Sequence, residues 1–256
     1  MELGLNGKVA LITGGSKGIG LATATRLAKE GAKIAIFARN KESLNLAAKK
    51  ISEYSFDKVV MIAGDASIKC DCQRAINEVV EHFGQIDILV NNAGVGNAYP
   101  FEEVTTELWQ EDLDLKLFGA IHCSRFAIPH MRKAGGGAIV NITTNAAKAP
   151  PASSLPTTVS RAAGQALTKA MSRDLAADSI RVNTVCIGII RSDQLANMRT
   201  KQNLTWEEFD QQLNIPLGRS GNVEEAANVI SFLASHAASY VTGTAINVDG
   251  GGGATL

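Results

Sequence analysis

The sequence lacks the features that mark membrane, secreted or nucleic-acid-binding proteins. Its 25 Lys and Arg are balanced by 25 Asp and Glu, so it has no basic excess for binding nucleic acid. The longest apolar runs, such as 34–38 and 86–90, are far too short to cross a bilayer. The N-terminus, Met1-Glu2-Leu3-Gly4, has neither the basic region nor the apolar stretch of a signal peptide. We therefore expect a cytoplasmic protein with no membrane and no nucleic-acid partner.

Cysteine, histidine and tyrosine are also scarce. Of the four cysteines only Cys70 and Cys72 lie close together, with no second pair and no nearby histidine, which favours free thiols over a metal site. The four histidines are scattered along the chain, so we expect no metal. Only Tyr54, Tyr99 and Tyr240 could supply a phenol, whereas the 24 glycines suit a nucleotide-binding fold.

Short apolar runs alternate with amphipathic stretches along the whole chain, a pattern typical of β-α-β units. The predicted strands are Lys8–Ile12, Lys33–Ala38, Lys58–Ala63, Ile86–Asn91, Ala138–Ile142, Ile180–Cys186 and Ala245–Val248. The predicted helices are Gly18–Glu30, Lys41–Tyr54, Ser67–Phe83, Val104–Lys133 with Gly119 as a candidate interruption, Thr157–Ala177 and Val223–Ala234.

Strands that are apolar on both faces suit a sheet covered by helices on both sides. We therefore expect one α/β domain over residues 1–256, a Rossmann-type doubly wound sheet of about seven parallel strands with right-handed crossovers. The polar and irregular segment at about 188–220 follows a strand end, where loops over active sites usually lie.

A glycine-rich turn joins the first predicted strand to the first predicted helix, and it reads T-G-G-S-K-G-I-G at 13–20. Glycine permits a tight turn and the close approach of a phosphate. The N-terminus of the following helix offers N–H groups and a positive dipole end to that phosphate. In this β-α-β context the spacing T-G-x-x-x-G-x-G predicts a dinucleotide site.

Further motifs follow in the order found in the short-chain dehydrogenase/reductase family, which the chain resembles over nearly its whole length. N-N-A-G at 91–94 is similar to an element of that family, and Asp65 stands where the family has an aspartate that contacts adenine. R-V-N at 181–183 with Gly188 resembles its R-V-N…P-G segment, and Y-V-T-G at 240–243 resembles part of its C-terminal signature.

The resemblance implies a cofactor cleft and an assembly. The residues it assigns to the cofactor are Gly14, Ser16, Lys17, Gly18, Ile19, Gly20, Arg39, Asp65, Ala66, Asn91, Ala93, Gly94, Arg161 and Gly188. It also implies a homotetramer, formed by the two long helices around the fifth strand and by the C-terminal strands.

The end of the second predicted strand favours NADP(H) over NAD(H). Ala38 occupies the position where an acidic residue would accept the ribose hydroxyls of NAD. Arg39 follows it, and Lys17 adds a second cation within the turn, a pair that suits the 2′-phosphate of NADP. The alternative is that both are ordinary solvated surface charges.

The four catalytic positions of the family, Asn, Ser, Tyr and Lys, are all substituted in this chain. In the family the tyrosine transfers the proton, the lysine lowers its pKa and binds ribose, the serine orients the carbonyl and the asparagine holds a relay water. Matching the motifs without gaps places Lys116, Thr144, Thr157 and Arg161 at the four positions. A literal Y-x-x-x-K at 54–58 precedes the third predicted strand and lies outside this pattern.

These substitutions change the available proton chemistry. Threonine ionises far less readily than a phenol, and arginine keeps its proton. Lys116 is the one candidate replacement acid, since a nearby Arg161 would lower the pKa of its ammonium. We hypothesise that it donates the proton, through water or the Thr157 hydroxyl; the alternative is that it pairs with Asp112 or Asp114.

Lys116, Arg161, Lys148 and Arg191 are expected to converge near the substrate on the family fold, which favours an anionic carboxylate or acyl thioester. Three functions remain open: an NADP(H)-dependent oxidoreductase acting on a carbonyl or alcohol, a non-catalytic NADP-binding regulatory or partner protein, and a non-redox lyase or isomerase. The fold alone does not choose among them. The complete set of cofactor motifs favours the first.

Overall fold

The structure is a computed structural model that describes residues 2–255, apart from the side chain of Gln194. The strands are β1 Val9–Thr13, β2 Lys33–Ala38, β3 Val60–Ala63, β4 Ile88–Asn91, β5 Ala98–Tyr99, β6 Gly137–Thr144, β7 Leu155–Pro156, β8 Ile180–Ile187 and β9 Ala245–Val248. The helices are α1 Gly18–Lys29, α2 Lys41–Ser52, α3 Lys69–Phe83, α4 Thr106–Leu113, α5 Gly119–Lys133, α6 Thr157–Asp174, α7 Asp193–Lys201, α8 Trp206–Gln211 and α9 Val223–Ala234.

Seven parallel strands form one sheet in the order β3-β2-β1-β4-β6-β8-β9. The chain winds outward from β1 to β3, then returns to place β4 on the other side of β1. This reversal opens a crevice at the carboxyl ends of β1 and β4, where ligands bind in open α/β sheets. The predicted Rossmann-type sheet of about seven parallel strands is confirmed.

The core lies in two layers, one on each face of the sheet. Ala10 and Ile12 of β1 face the layer under α1, α2 and α9, whereas Val9 and Leu11 face the layer under α3 and α5. Successive residues of a strand point to opposite faces of the sheet, and helices cover both faces, so all four side chains are buried. This two-sided burial explains why the strands read as unbroken apolar runs in the sequence.

The structure corrects one expectation about local structure and confirms another. The segment 188–220 was expected to be irregular, but it contains α7 and α8. Each begins with a side-chain cap: Ser192 accepts the Leu195 N–H, and Thr205 forms a capping box with Glu208. The interruption expected near Gly119 in the segment 104–133 is present as a π-helical turn at Asp114–Phe118, and α5 begins directly after it at Gly119.

Within residues 2–255 the structure shows no feature of a membrane span or a metal centre. No helix there combines the length and the apolar character that crossing a bilayer requires. No three His, Cys, Asp or Glu side chains of the described residues converge as a metal site. All four cysteines are free; Cys70 is exposed and the other three are buried.

Candidate active site

The glycine-rich turn leads directly from β1 into the N-terminus of α1. Gly14 has a φ of +63°, in the left-handed region that favours glycine. A Cβ on Gly20 would lie 2.2 Å from the Gly14 carbonyl oxygen, so helix and turn touch through bare backbone. The first turn of α1 contains no acidic residue, which leaves its positive end uncompensated. This arrangement fits the pyrophosphate of a dinucleotide.

Other predicted cofactor residues near the turn have diverse surroundings. Ile19 places its side chain in the core, so only its backbone could meet a phosphate. Lys17 is exposed, and Ser16 is partly exposed. A groove of about 950 Å³ adjoins Ser16, Lys17 and Gly18, but it runs over the outer faces of α1, α2 and α9. Lys116, Thr157 and the other substituted positions do not border that groove.

Two polar residues between β1 and β4 hold the crevice in shape. The Thr13 hydroxyl accepts the N–H groups of Asn92 and Ala93, each at 3.0 Å. The Asn92 amide donates to the backbone carbonyls of Thr13 and Gly14. The sequence motifs contain both residues, yet we did not predict this role for them. Asn91, predicted at the cofactor, instead donates to Asn141 and Ser124 inside the core.

The ends of β2 and β3 carry one weakly paired cation and one anion. Arg39 Nη1 lies 3.9 Å from Asp65 Oδ2, and the Arg39 side chain is 67% exposed. Asp65 also accepts two hydrogen bonds from Ser67, which fix its carboxylate. Ala66 is buried, and its carbonyl oxygen would lie 2.7 Å from a Cβ on Gly119. Arg39 thus remains open to a further anion.

Lys116 is held between two side chains. Its Nζ donates a short hydrogen bond to Asp112 Oδ1 and a 2.6 Å hydrogen bond to Thr157 Oγ1. The Lys116 side chain is only 1% exposed. The predicted contact with Thr157 and the alternative, pairing with Asp112, therefore occur together in one arrangement.

Asp112 anchors this arrangement through both carboxylate oxygens. Ser160 Oγ donates to Oδ2 at 2.6 Å, and Asn97 Nδ2 donates to Oδ1 at 3.3 Å. The carboxylate thereby links α4, α6 and the loop after β4. The contacts of Ser160 and Asn97 with Asp112 were not predicted from the sequence. The one sequence signal for this cluster is the i,i+4 spacing of Asp112 and Lys116, which allows the two side chains to pair on a helix.

Arg161 lies one helical turn after Thr157 and reaches under the crevice. Its Nη1 donates a short hydrogen bond to the Ile142 carbonyl, and its Nη2 would lie 2.4 Å from a Cβ on Gly94. Burial lowers the pKa of Arg161 to about 10. A side chain at position 94 would therefore force the guanidinium to move from this place.

The pKa of Lys116 is lowered to about 8. Burial contributes most to the decrease, and the positive charge of Arg161 adds to it. Hydrogen bonding to Asp112 and its negative charge oppose the decrease. Lys116 can therefore change its protonation state near neutral pH, far below the ordinary range of a lysine.

Thr144 lies at the carboxyl end of β6, on the same edge of the sheet. Its hydroxyl donates to the Ile187 carbonyl at 3.2 Å and accepts the Ala146 N–H at 3.3 Å. Gly188 follows Ile187, and a Cβ there would lie 2.8 Å from the Asp249 Cα. Gly188 therefore serves close packing against the C-terminal segment.

Two of the four cations that were expected to converge are paired with partners of their own. Lys148 Nζ donates to the Ala245 carbonyl and, at 2.7 Å, to Asn247 Oδ1. Arg191 Nη2 pairs with Asp210 at 2.5 Å. Each has found a local partner that the family pattern does not reveal. Lys116 and Arg161 remain as the cationic pair, with Asp112 as counterion.

The literal Y-x-x-x-K of the sequence lies at the surface. Tyr54 follows α2 and is exposed, with Lys29 Nζ 4.2 Å from its ring centre. The structure thus places it outside the cluster around Lys116.

Comparisons with known proteins point to one family and one fold. The family model described as enoyl-(acyl carrier protein) reductase matches residues 14–252. A 3alpha-hydroxysteroid dehydrogenase of Mediterraneibacter gnavus is 37% identical over 255 residues, 98% of each chain. L-sorbose reductase from Gluconobacter frateurii, solved with NADPH and L-sorbose, is 36% identical with a TM-score of 0.95 over 100% of both chains.

A second similar structure comes from Pseudomonas aeruginosa PAO1. The NADPH-bound short chain oxidoreductase from Pseudomonas aeruginosa PAO1 is described as containing an atypical catalytic center. It is 35% identical, with a TM-score of 0.92 over 97% of this chain and 98% of that one. Sequence similarity over nearly the full length and a shared fold lead to one assignment. The chain belongs to the short-chain dehydrogenase/reductase family, as an oxidoreductase of the type that uses NAD(P).

Proposed function

We propose that the protein is an NADP(H)-dependent oxidoreductase that acts on a carbonyl or alcohol substrate and moves the proton through Lys116 and Thr157. The observation that carries this proposal is the 2.6 Å hydrogen bond from Lys116 Nζ to Thr157 Oγ1. Thr157 stands at the position of the family's tyrosine, and this hydrogen bond connects its hydroxyl to a lysine that can lose or gain a proton.

Thr157 cannot act as the acid alone, since an alkyl alcohol ionises far less readily than a phenol. It can pass a proton on: the hydroxyl donates its own proton to the substrate oxygen and takes one from Lys116. The bound nicotinamide would supply or accept the hydride. A general acid contributes about 10²- to 10⁴-fold when its pKa lies near the operating pH. A lysine of pKa about 8 meets that condition.

We propose that NADP(H) is preferred over NAD(H). The turn at 13–20 would hold the pyrophosphate, Arg39 and Lys17 the 2′-phosphate, and Asp65 the adenine. The support is the exposed guanidinium of Arg39, which lies 3.9 Å from the carboxylate of Asp65 and so is only weakly paired with it. Ala38 offers no carboxylate to compete for the ribose hydroxyls.

We propose an anionic substrate, a carboxylate or an acyl thioester. Lys116 and Arg161 place two positive charges beside the single negative charge of Asp112. Partly buried charge without a counterion is unfavourable, and an anionic group of the substrate would supply that counterion. Lys148 and Arg191 take no part in this, because both are paired elsewhere.

The second candidate is an NADP-binding regulatory or partner protein without turnover. It is favoured by the hydrogen bonds of two substituted positions. Arg161 donates to the Ile142 carbonyl, and the Thr144 hydroxyl donates to the Ile187 carbonyl. Both groups are thereby engaged with backbone at the place where the family uses them on ribose and substrate.

Two measurements separate these functions. Fluorescence titration with NADPH and NADH gives the cofactor preference. The absorbance of the reduced cofactor then reports turnover on a panel of ketones, quinones and acyl thioesters. We expect turnover that is lost in a Lys116→Met variant which still binds NADPH. Tight binding of NADPH with no turnover on the whole panel supports the second candidate instead.

We also propose that the protein assembles as a homotetramer through α5, α6 and the C-terminal strand. Phe118, just before α5, and Val159 on α6 are exposed apolar side chains that a neighbouring copy would cover. Light scattering coupled to size-exclusion chromatography measures the mass directly. A monomeric mass at micromolar concentration excludes this assembly.

A further inference from the structure

We propose that Thr157 is also a nucleophile, and that it takes the acyl group of an ester or thioester with Lys116 as its base. This activity needs no nucleotide, so it goes beyond the redox function. It uses the neutral form of Lys116, whereas reduction uses the protonated form.

The three residues stand in the order that nucleophilic catalysis requires. Thr157 Oγ1 lies 2.6 Å from Lys116 Nζ, and Nζ is bonded in turn to Asp112. A nucleophile in hydrogen-bond contact with a base, which a third group orients, is the shared geometry of acyl-transfer triads. Thr157 is partly exposed, whereas the side chains of Lys116 and Asp112 are both buried. The hydroxyl can thus be reached by a substrate or by a single water, while the base behind it is shielded from bulk solvent.

Asp112 is fixed tightly enough to orient Lys116. Its carboxylate accepts from Ser160 at 2.6 Å and from Asn97 at 3.3 Å, on two further segments of the chain. The groups with charge that face Lys116 are Asp112 on α4 and Arg161 on α6. Arg161, four residues after Thr157, lies on the same face of α6 and brings positive charge for the oxyanion.

The chemistry balances without an oxidant. Neutral Lys116 accepts the hydroxyl proton as the threonine oxygen forms a bond to the acyl carbon. The carbon–sulfur or carbon–oxygen bond to the leaving group breaks, and the proton passes from Lys116 to that group. Water then attacks the acyl-threonine, with Lys116 accepting a proton from the water and returning it to the threonine oxygen. The products are a carboxylic acid and a thiol or an alcohol.

The pKa of Lys116, about 8, makes the neutral amine available near neutral pH. Because the base acts when deprotonated, the acylation rate should rise as the pH increases through about 8. The rate of reduction should instead fall as the pH rises through about 8, since the acid acts when protonated. One side chain would then give two activities with mirrored pH dependence.

The test uses nucleotide-free protein with p-nitrophenyl acetate and with an acetyl thioester of N-acetylcysteamine. We expect a burst of released p-nitrophenol or thiol, and an acetyl group on the peptide that contains Thr157 by mass spectrometry. Thr157→Ser should keep the adduct. Thr157→Val and Lys116→Met should slow acylation about 10²-fold or more, the usual contribution of a general base.

Cys70→Ser is the control, because Cys70 is the exposed thiol and the natural site of adventitious acylation. The variant should acylate as the wild type does. Acetyl groups found only on Cys70 or on surface lysines overturn the proposal, as does an unchanged rate in Lys116→Met. Mapping of the wild-type adduct decides the matter even if Thr157→Val does not fold. Since no nucleotide is present, failure of the redox function leaves this result intact.

Discussion

Replacing Asp112 with asparagine should lower the pKa of Lys116 and move the basic limb of the reduction rate to lower pH. Asp112 accepts a short hydrogen bond from Lys116 and opposes the lowering of its pKa by burial and by Arg161. The asparagine side chain would keep nearly the same shape but remove the negative charge. Burial and Arg161 would then act on Lys116 without opposition.

The size of this shift follows from the ion pair. An opposite charge in contact changes a pKa by about 1–3 units. Starting from about 8, the pKa of Lys116 in Asp112→Asn should therefore fall to roughly 5–7. At a pH of about 7.5 most of the protein would then lack the proton that reduction needs. The loss should be larger at pH of about 8 than at pH of about 6.

The assay is the pH dependence of kcat/KM for reduction, combined with NMR titration of ¹³C-labelled lysine in both proteins. Asp114→Asn is the matched control, since Asp114 lies in the adjoining π-helical turn and accepts from Gln110 at 2.8 Å. In Asp114→Asn the basic limb of kcat/KM should stay at the same pH as in the wild type. NADPH binding and thermal melting confirm that each variant folds. A Lys116 resonance that titrates at the same pH in wild type and Asp112→Asn refutes the reasoning, whether or not turnover is found.

Three further predictions concern the nucleotide site and stability. Gly20→Ala should abolish NADPH binding in a fluorescence titration, because its Cβ would lie 2.2 Å from the Gly14 carbonyl; Gly164→Ala, whose Cβ has only an ordinary 3.6 Å neighbour, should bind normally. Arg39→Ala should weaken NADPH binding about 10- to 100-fold, as expected for a lost charged hydrogen bond, and leave the Kd of NADH nearly unchanged; equal losses for both cofactors would argue against a role at the 2′-phosphate. In urea unfolding, the stability of the wild type relative to Lys116→Met should rise as the pH increases from about 8 towards 10.5: the folded protein holds the Lys116 proton less tightly than the unfolded chain does, so the wild type gains stability through that window and the variant does not.

Much of the fold follows from patterns that involve neighbouring residues. The apolar runs of β1, β2 and β4 and the turn at 13–20 predict both the sheet and its nucleotide end, because strand burial and tight turns depend on local residue types. The two-residue strands β5 and β7 were not predicted, since so short a pairing depends on the loops that bring them together.

At the candidate site, local sequence patterns predict which residues come together but not all of their contacts. Alignment with the family places Lys116, Thr157 and Arg161 together, and the structure has them within one cluster. Asp112 was one of the two partners considered for Lys116, but its hydrogen bond from Ser160 could not be predicted, because a polar residue on a helix normally faces solvent and only the packing of α4 against α6 buries it. The partners of Lys148 and Arg191 were not predicted for a related reason: Asn247 and Asp210 are distant from them in sequence.

The contact between Arg161 and Gly94 limits how this site can be altered. The guanidinium fills the space beside a glycine, while Lys116 Nζ stands 2.6 Å from the Thr157 hydroxyl. A tyrosine ring restored at position 157 alone would meet that ammonium, and a lysine at 161 alone would leave a gap under the crevice. Evolution or engineering towards the usual family residues would therefore have to change positions 116, 157 and 161 jointly, as a single epistatic unit.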